Sequence, residues 1–172
     1  MGRKDRGRSR TVGGEVRPTT QKILESLTAI LLPRLEGAQV LDLFAGTGRV
    51  GLRLLEMGAE SVVFVEGNRR VAQTLRAVLR KLECKDSVHL INGCIPKVLE
   101  KVRGEFDIVV CDPPYDWERP QTLLPASLHL LKPAGLLVVE HHHKTPYEES
   151  EGLELLRREK FGETRLSFFE RK

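Results

Sequence analysis

No apolar run in this chain approaches the ~18 residues that a bilayer-spanning helix requires. The charged N-terminus lacks the apolar core of a secretory leader. The expectation is a cytoplasmic protein with no membrane partner. Cysteine is scarce: Cys84, Cys94 and Cys111 are odd in number, scattered, and without metal-ligand spacing. That pattern argues against a disulfide framework and a cysteine-built metal centre, and it fits a reducing compartment. Internal repeats and a second domain are also missing. Charge of one sign is missing too, once the first twenty residues are set aside: the rest of the chain carries 22 basic and 22 acidic residues.

The whole excess of +4 lies in residues 1–20, where Arg3, Lys4, Arg6, Arg8, Arg10 and Arg17 face only Asp5 and Glu15. Residues 1–16 read as a flexible, glycine- and arginine-rich arm that attracts phosphates, with Arg3, Arg6, Arg8 and Arg10 as candidate nucleic-acid contacts. A chain of 172 residues points to a single domain, here residues 17–172, able to bury roughly 70% of its unfolded surface.

Hydrophobic spacing organises that domain. Ile23, Leu24, Leu27, Ile30 and Leu31 mark a helix begun by Pro18, Thr19 and Thr20 and ended by Pro33. Val40 to Phe44 reads as a buried strand, and Gly46 to Gly51 turn it into a helix closed by Gly58. Ser61 to Val65 is a second strand. Asn68 caps a helix whose apolar stripe is Val71, Ala72, Leu75, Val78, Leu79 and Leu82. Val88 to Ile91 and Phe106 to Cys111 are further strands, with Pro96 opening a short helix between them. Residues 121–131 read as mainly helical, with Pro125 forbidding a regular interior. Lys132 to Gly135 reads as a turn, Leu136 to Glu140 as a strand, and Leu153 to Lys160 with Thr164 to Glu170 as a hairpin. Strands alternating with helices predict an α/β domain with a mostly parallel sheet covered on both faces. Ligands then gather at the carboxyl ends of the strands, where Asp42, Gly46, Glu66, Cys94, Asp112 and His141 fall.

Gly46, Gly48 and Gly51 match G-x-G-x-x-G between strand and helix, and Glu66 follows Gly46 by twenty residues. Glycines let the backbone approach a nucleoside closely, and a strand-end acid accepts ribose hydroxyls. The spacing serves NAD and S-adenosylmethionine alike. Asp42 favours the second, because a carboxylate would repel a pyrophosphate; it either meets a cationic cofactor or simply braces the loop. Candidate cofactor contacts are Asp42, Phe44, Ala45, Gly46, Thr47, Gly48, Glu66, Gly67, Asn68, Gly93, Cys94 and Asp112.

Asp112-Pro113-Pro114-Tyr115 closes the strand Phe106 to Cys111. An exocyclic amine on a base is a poor nucleophile because its lone pair is conjugated. Two acceptors aimed at its N–H bonds, the Asp112 side chain and the Pro113 carbonyl, would favour a more tetrahedral nitrogen. Pro113 and Pro114 fix φ and remove competing donors, and Tyr115 can stack on the base. Asp112, Pro113, Pro114 and Tyr115 are the candidate catalytic residues. Trp117 reads as a lid, a base platform, or packing against residues 121–131. His141-His142-His143 cannot all ligate one ion, since neighbours on a strand point to opposite faces; no metal is expected, and His141 is a candidate for the substrate mouth. The charges of residues 148–160 read as a solvated face.

Arg17-Pro18-Thr19-Thr20, Leu41-Asp42-Leu43-Phe44-Ala45-Gly46-Thr47-Gly48, Glu66, Asp112-Pro113-Pro114-Tyr115 and Glu140-His141 occur in an order and spacing that resembles the bacterial 16S ribosomal RNA guanine-N2 methyltransferases of the small-subunit head. The likeness runs from Arg17 through the Phe161-Gly162-Glu163-Thr164 hairpin to the C-terminus. It implies a Rossmann-like class I methyltransferase with a seven-stranded sheet and an antiparallel last strand. It also implies S-adenosyl-L-methionine as donor and a guanine amine in 16S ribosomal RNA, or the assembling small subunit, as acceptor. By matched position it places Arg17 and Thr19 over the active site. Relatives open with a strand pair where this chain has its arginine arm, and often carry Asp or Asn where it has Cys94. A monomer is expected. An adenine-N6 DNA methyltransferase would share the amine grip but add a recognition segment, and none is visible. A nicotinamide oxidoreductase would leave Asp112 to Tyr115 without a task. A non-catalytic RNA-binding assembly factor would tolerate loss of Asp112.

Overall fold

The computed structural model describes residues 18–114, 117, 120–145 and 147–172. The arm, Arg17 and Tyr115 lie outside the described residues. Helix α1 (Pro18–Leu31) leads into strand β1 (Gln39–Leu43), followed by α2 (Arg49–Glu56), β2 (Ser61–Glu66), α3 (Arg69–Leu79) and β3 (Val88–Asn92). A short 3-10 helix (Lys97–Lys101) precedes β4 (Phe106–Cys111), α4 (Pro120–Leu128), β5 (Leu131–His142), β6 (Leu153–Phe161) and β7 (Thr164–Arg171). The strands form one seven-stranded sheet in the order β3-β2-β1-β4-β5-β7-β6. β1 pairs in parallel with both β2 and β4, and β7 runs antiparallel to β5 and β6. The chain therefore reverses its direction of winding between β1 and β4, which opens a crevice at their carboxyl ends. Among the described residues no helix is long and apolar enough to cross a membrane.

Period-two alternation splits the core in two. Val40, Val62, Phe64, Ile108, Val110 and Val138 face the layer of α1, α2 and α3, where Leu27, Leu31, Leu54, Leu75 and Leu79 meet them. Leu41, Leu43, Val65, Val109, Cys111 and Val139 face the other way, onto Val98 and Leu99 of the 3-10 helix and Leu123 and Leu124 of α4. Both faces being covered explains why the parallel strands read as unbroken apolar runs.

Three sequence expectations change. α4 continues through Pro125, because Leu123, Leu124 and Ser127 are buried on its inner side while the ring stays exposed; tertiary packing outweighs the lost hydrogen bond. Lys132 to Gly135 is not a free turn but a bulge inside β5, where the register with β4 jumps between Phe106–Leu131 and Ile108–Leu136 and Ala134 takes a φ of 60°. Val78 is 42% exposed rather than part of the inner stripe of α3.

Candidate active site

The same alternation that buries Val40, Val110 and Val138 sends Asp42 of β1 and Glu140 of β5 to the α1 side of the strands that flank β4. Asp112 joins them one residue past β4. Asp42, Asp112 and Glu140 line a narrow cavity of about 20 Å³ with Leu27 of α1, Val50 of α2 and Leu166 of β7. Arg49, the first residue of α2, holds α1 over this end of the sheet by donating to the Thr20 carbonyl at 2.9 Å. Thr19 therefore lies in the turn of α1 that reaches the glycine loop.

Asp42 is 3% exposed, and its Oδ2 accepts the Gly51 N–H at 2.9 Å. Burial pushes its carboxyl up to about 7, against the Gly51 hydrogen bond and with help from the charges of Asp112 and Glu66. The unfolded carboxyl titrates near 3.8, so between those values the folded protein holds the extra proton. Stability contributed here falls as pH rises from about 4 to about 7, and the loss is complete above 7. Asp42→Asn keeps an oxygen for Gly51 and should remove that slope, as much as about 1.4 kcal/mol per pH unit. Urea unfolding of both proteins at several pH values measures it; identical pH dependence would mean that folding leaves the Asp42 carboxyl titrating where it does in the unfolded chain.

The loop after β1 is bent by three residues in the left-handed region, Phe44 (φ 62°), Gly46 (57°) and Gly48 (78°). Two anchors hold it: Ala45 donates to the Val65 carbonyl at 2.9 Å, and Gly46 to Glu66 Oε2 at 2.8 Å. A Cβ on Gly48 would lie 2.6 Å from Leu75, and one on Gly51 would lie 2.4 Å from the Phe64 ring. Those two glycines thus serve the seating of the loop on the core. Glu66 Oε1 also accepts the Asn68 N–H at 2.6 Å, and Asn68 in turn caps α3 by accepting from Arg70 and Val71. Each Glu66 oxygen keeps a further acceptor position. Beyond β3, a Cβ on Gly93 would lie 2.5 Å from Val98, and exposed Cys94 stands beside Gly67. Thr47 is exposed at the loop tip.

This donor set suits a cationic nucleoside cofactor. Asp42, Asp112 and Glu140 in one cavity, with Glu66 at the neighbouring strand end, complement positive charge and would oppose a pyrophosphate. Glu66 retains acceptor capacity for ribose hydroxyls, and Gly46 has nothing closer to an added Cβ than the Phe44 carbonyl at 3.9 Å.

The acceptor loop is tied to the cofactor loop. The Asp112 N–H reaches the Leu43 carbonyl at 3.4 Å, Pro113 is buried, Pro114 is exposed, and the Pro114 carbonyl accepts the Trp117 N–H at 2.9 Å. Trp117 meets Phe44 edge to face, with ring centroids 5.2 Å apart and planes at 71°. Trp117 is thus a clasp between the two loops rather than only packing against α4.

His141 does not line a substrate mouth. It follows Glu140 and so points to the opposite face, where it is 3% exposed and 4.8 Å from the Tyr147 ring. Its Nδ1 donates to the His142 carbonyl at 2.9 Å, and its Nε2 takes the Ser167 hydroxyl at 2.8 Å. Burial, opposed by the His142 carbonyl and aided by the charges of Arg165, Arg158 and His142, brings its pKa down to about 4, which keeps this ring neutral. Among the described residues no group of three or more His, Cys, Asp and Glu could hold a metal ion. Arg49 and Glu140 are site residues without a role assigned from the sequence, although Glu140 stands in the Glu140-His141 pair. Arg49 directly follows Gly48, and Glu140 shares the phase of Val138, so both had a positional signal.

The conserved hypothetical protein 95 family matches residues 3–170. The chain belongs to that family. It is 29% identical to the candidate rRNA methyltransferase YlbH of Bacillus subtilis, over 99% of this chain and 96% of that one. It is 31% identical to ribosomal RNA small subunit methyltransferase D of Haemophilus influenzae, over 86% of this chain and 79% of the relative. The candidate methyltransferase yhhF of Escherichia coli superimposes with a TM-score of 0.82 at 27% identity, covering 94% of this chain and 90% of that structure. The fold of this family member is the class I S-adenosylmethionine-dependent methyltransferase fold.

Proposed function

We propose that this family member transfers a methyl group from S-adenosyl-L-methionine to the exocyclic N2 amine of a guanine in 16S ribosomal RNA, free or in the assembling small subunit. The observation that carries the reading is the juxtaposition of Asp112 with the glycine loop. The acceptor motif ends β4, the cofactor loop ends β1, and these strands flank the point where the winding reverses. The ribosomal RNA methyltransferase names of the relatives support the substrate class.

Bound there, the cofactor supplies an electrophilic methyl group. Gly46, Gly48 and Glu66, with Gly67, Asn68, Gly93 and Cys94 along the wall, hold its nucleoside end, and Asp42 lies toward its cationic end. Phe44, Ala45 and Thr47 shape the loop between. Asp112 and the Pro113 carbonyl accept from the two N–H bonds of the amine, and Pro114 keeps that turn rigid. Tyr115 supplies the stacking face. These acceptors strengthen as positive charge grows on nitrogen, so they favour the transition state over the ground state. The product nitrogen gives its proton to water. The base must leave its stack to reach this crevice, and Arg17, Thr19 and the arginine arm hold the surrounding RNA.

Tritium transfer from labelled S-adenosyl-L-methionine to unmodified small subunits, followed by nucleoside mass spectrometry, tests the reading. The expected product is N2-methylguanosine at one position. Label in N6-methyladenosine, or in naked duplex DNA only, would overturn it.

A further inference from the structure

We propose that the outer face of α3 is a second RNA-docking surface, one that carries the phosphate backbone away from the crevice; this rests on the RNA reading above. α3 and the two residues after it contain Arg69, Arg70, Arg76, Arg80 and Lys81 and no acidic residue. All five are exposed, because Ala72, Leu75 and Leu79 take the inner face. Helical spacing gathers them into two adjoining stripes: Arg69, Arg76 and Arg80 on one, Arg70 and Lys81 on the next.

None of the five forms an ion pair or a side-chain hydrogen bond among the described residues. Seven basic residues elsewhere, Arg34, Arg53, Arg157, Arg158, Arg171, Lys132 and Lys172, meet a carboxylate; what sets α3 apart is the gathering of five cations within residues 69–81 with no acid among them. The α3 arrangement works against the helix that bears it. Arg69 and Arg70 occupy the first turn, where the helix dipole disfavours cations. Arg76 and Arg80 are like charges one turn apart. A polyanion lying across the face would relieve both. α3 starts three residues after Glu66, at the rim of the crevice, and its eleven residues run roughly 16 Å away from it. That places cations where RNA flanking a splayed-out base would pass. A membrane surface fits less well, since the apolar stripe is buried in the core and only Val78 is left outside.

The test compares the full chain, the variant Arg76→Gln/Arg80→Gln/Lys81→Gln, and a control Lys101→Gln/Arg103→Gln/Lys172→Gln. The control removes the same charge from segments outside α3, the approach to β4 and the residue after β7. Binding of unmodified 16S RNA transcript is measured across a range of salt concentrations, with S-adenosylhomocysteine affinity as the check on folding. The α3 variant should bind RNA about 10- to 100-fold more weakly near physiological salt, with a salt slope smaller by about 2. The control should stay within about threefold of the full chain, and all three should bind S-adenosylhomocysteine alike. An α3 variant that matches the control in affinity and slope would overturn the proposal. So would tight wild-type binding to phosphatidylserine vesicles, lost in the α3 variant, with RNA binding unchanged. Label appearing on another nucleotide would defeat the guanine reading while leaving the α3 comparison standing.

Discussion

Asp112→Ala should lower turnover by about 10²–10³-fold, the range found when one preorganised polar partner of a developing charge is removed. Cofactor affinity should change little. Asp112 stands at the end of β4, next to the carbonyl of Pro113, and its carboxylate is an acceptor whose value grows as the substrate nitrogen becomes positive. An interaction made chiefly in the transition state lowers kcat and kcat/KM together. Asp112→Asn retains one acceptor oxygen without the charge and should fall between the two, because charge-assisted hydrogen bonds are roughly twice as strong as neutral ones. Steady-state kinetics, with S-adenosylhomocysteine titration of each variant, decides the matter. Equal losses in turnover and cofactor affinity would mean that Asp112 only shapes the loop. Unaltered modification of RNA would make the protein a non-catalytic binder.

The second large effect concerns the seat of the cofactor loop. Gly51→Ala places a methyl group 2.4 Å from Cε1 and 2.9 Å from Cζ of Phe64, and 2.9 Å from the Asp42 carboxylate. Phe64 is fully buried and cannot swing aside, so the substitution should cost about 1–3 kcal/mol and weaken cofactor binding by shifting the start of α2. Phe64→Leu removes the ring atoms that would be struck. In that background Gly51→Ala should be markedly less harmful, giving a coupling of about 0.5–3 kcal/mol in a double-mutant cycle. Denaturant unfolding of the four proteins measures it. Additive costs would show that the glycine is needed for the Asp42 contact, or for α2 itself, rather than for the ring.

Much of this architecture can be read before any coordinates are seen, for identifiable reasons. β1, β2 and β4 are continuous apolar runs because both faces are covered, and the turns between them carry glycine or an asparagine cap. Pro125 misleads because a single missing N–H weighs less than burying Leu123 and Leu124. Lys132 to Gly135 has turn chemistry but lies within β5, where a bulge uses the same residues. At the site, the positions of Asp42, Gly46, Glu66 and Asp112 follow from strand ends and spacing. The bracing of Gly51 by Asp42, and of Gly46 and Asn68 by Glu66, does not, because it depends on which way each carboxylate turns. His141 misleads through proximity: one step along a strand from Glu140 moves its ring from the crevice to the opposite layer. The summed charge of residues 21–172 is zero, which conceals the five cations gathered on α3 and the residues just after it. Only the sheet's arrangement shows them facing outward without partners.

The most direct test of the central claim is a crystal structure of the full chain with S-adenosylhomocysteine bound. The nucleoside should lie against Glu66 and Gly67, and the sulfur should turn toward the Asp112 carboxylate, with an open path between them for an exocyclic amine. A ligand whose sulfur points away from Asp112, or one seated elsewhere on the sheet, would contradict it.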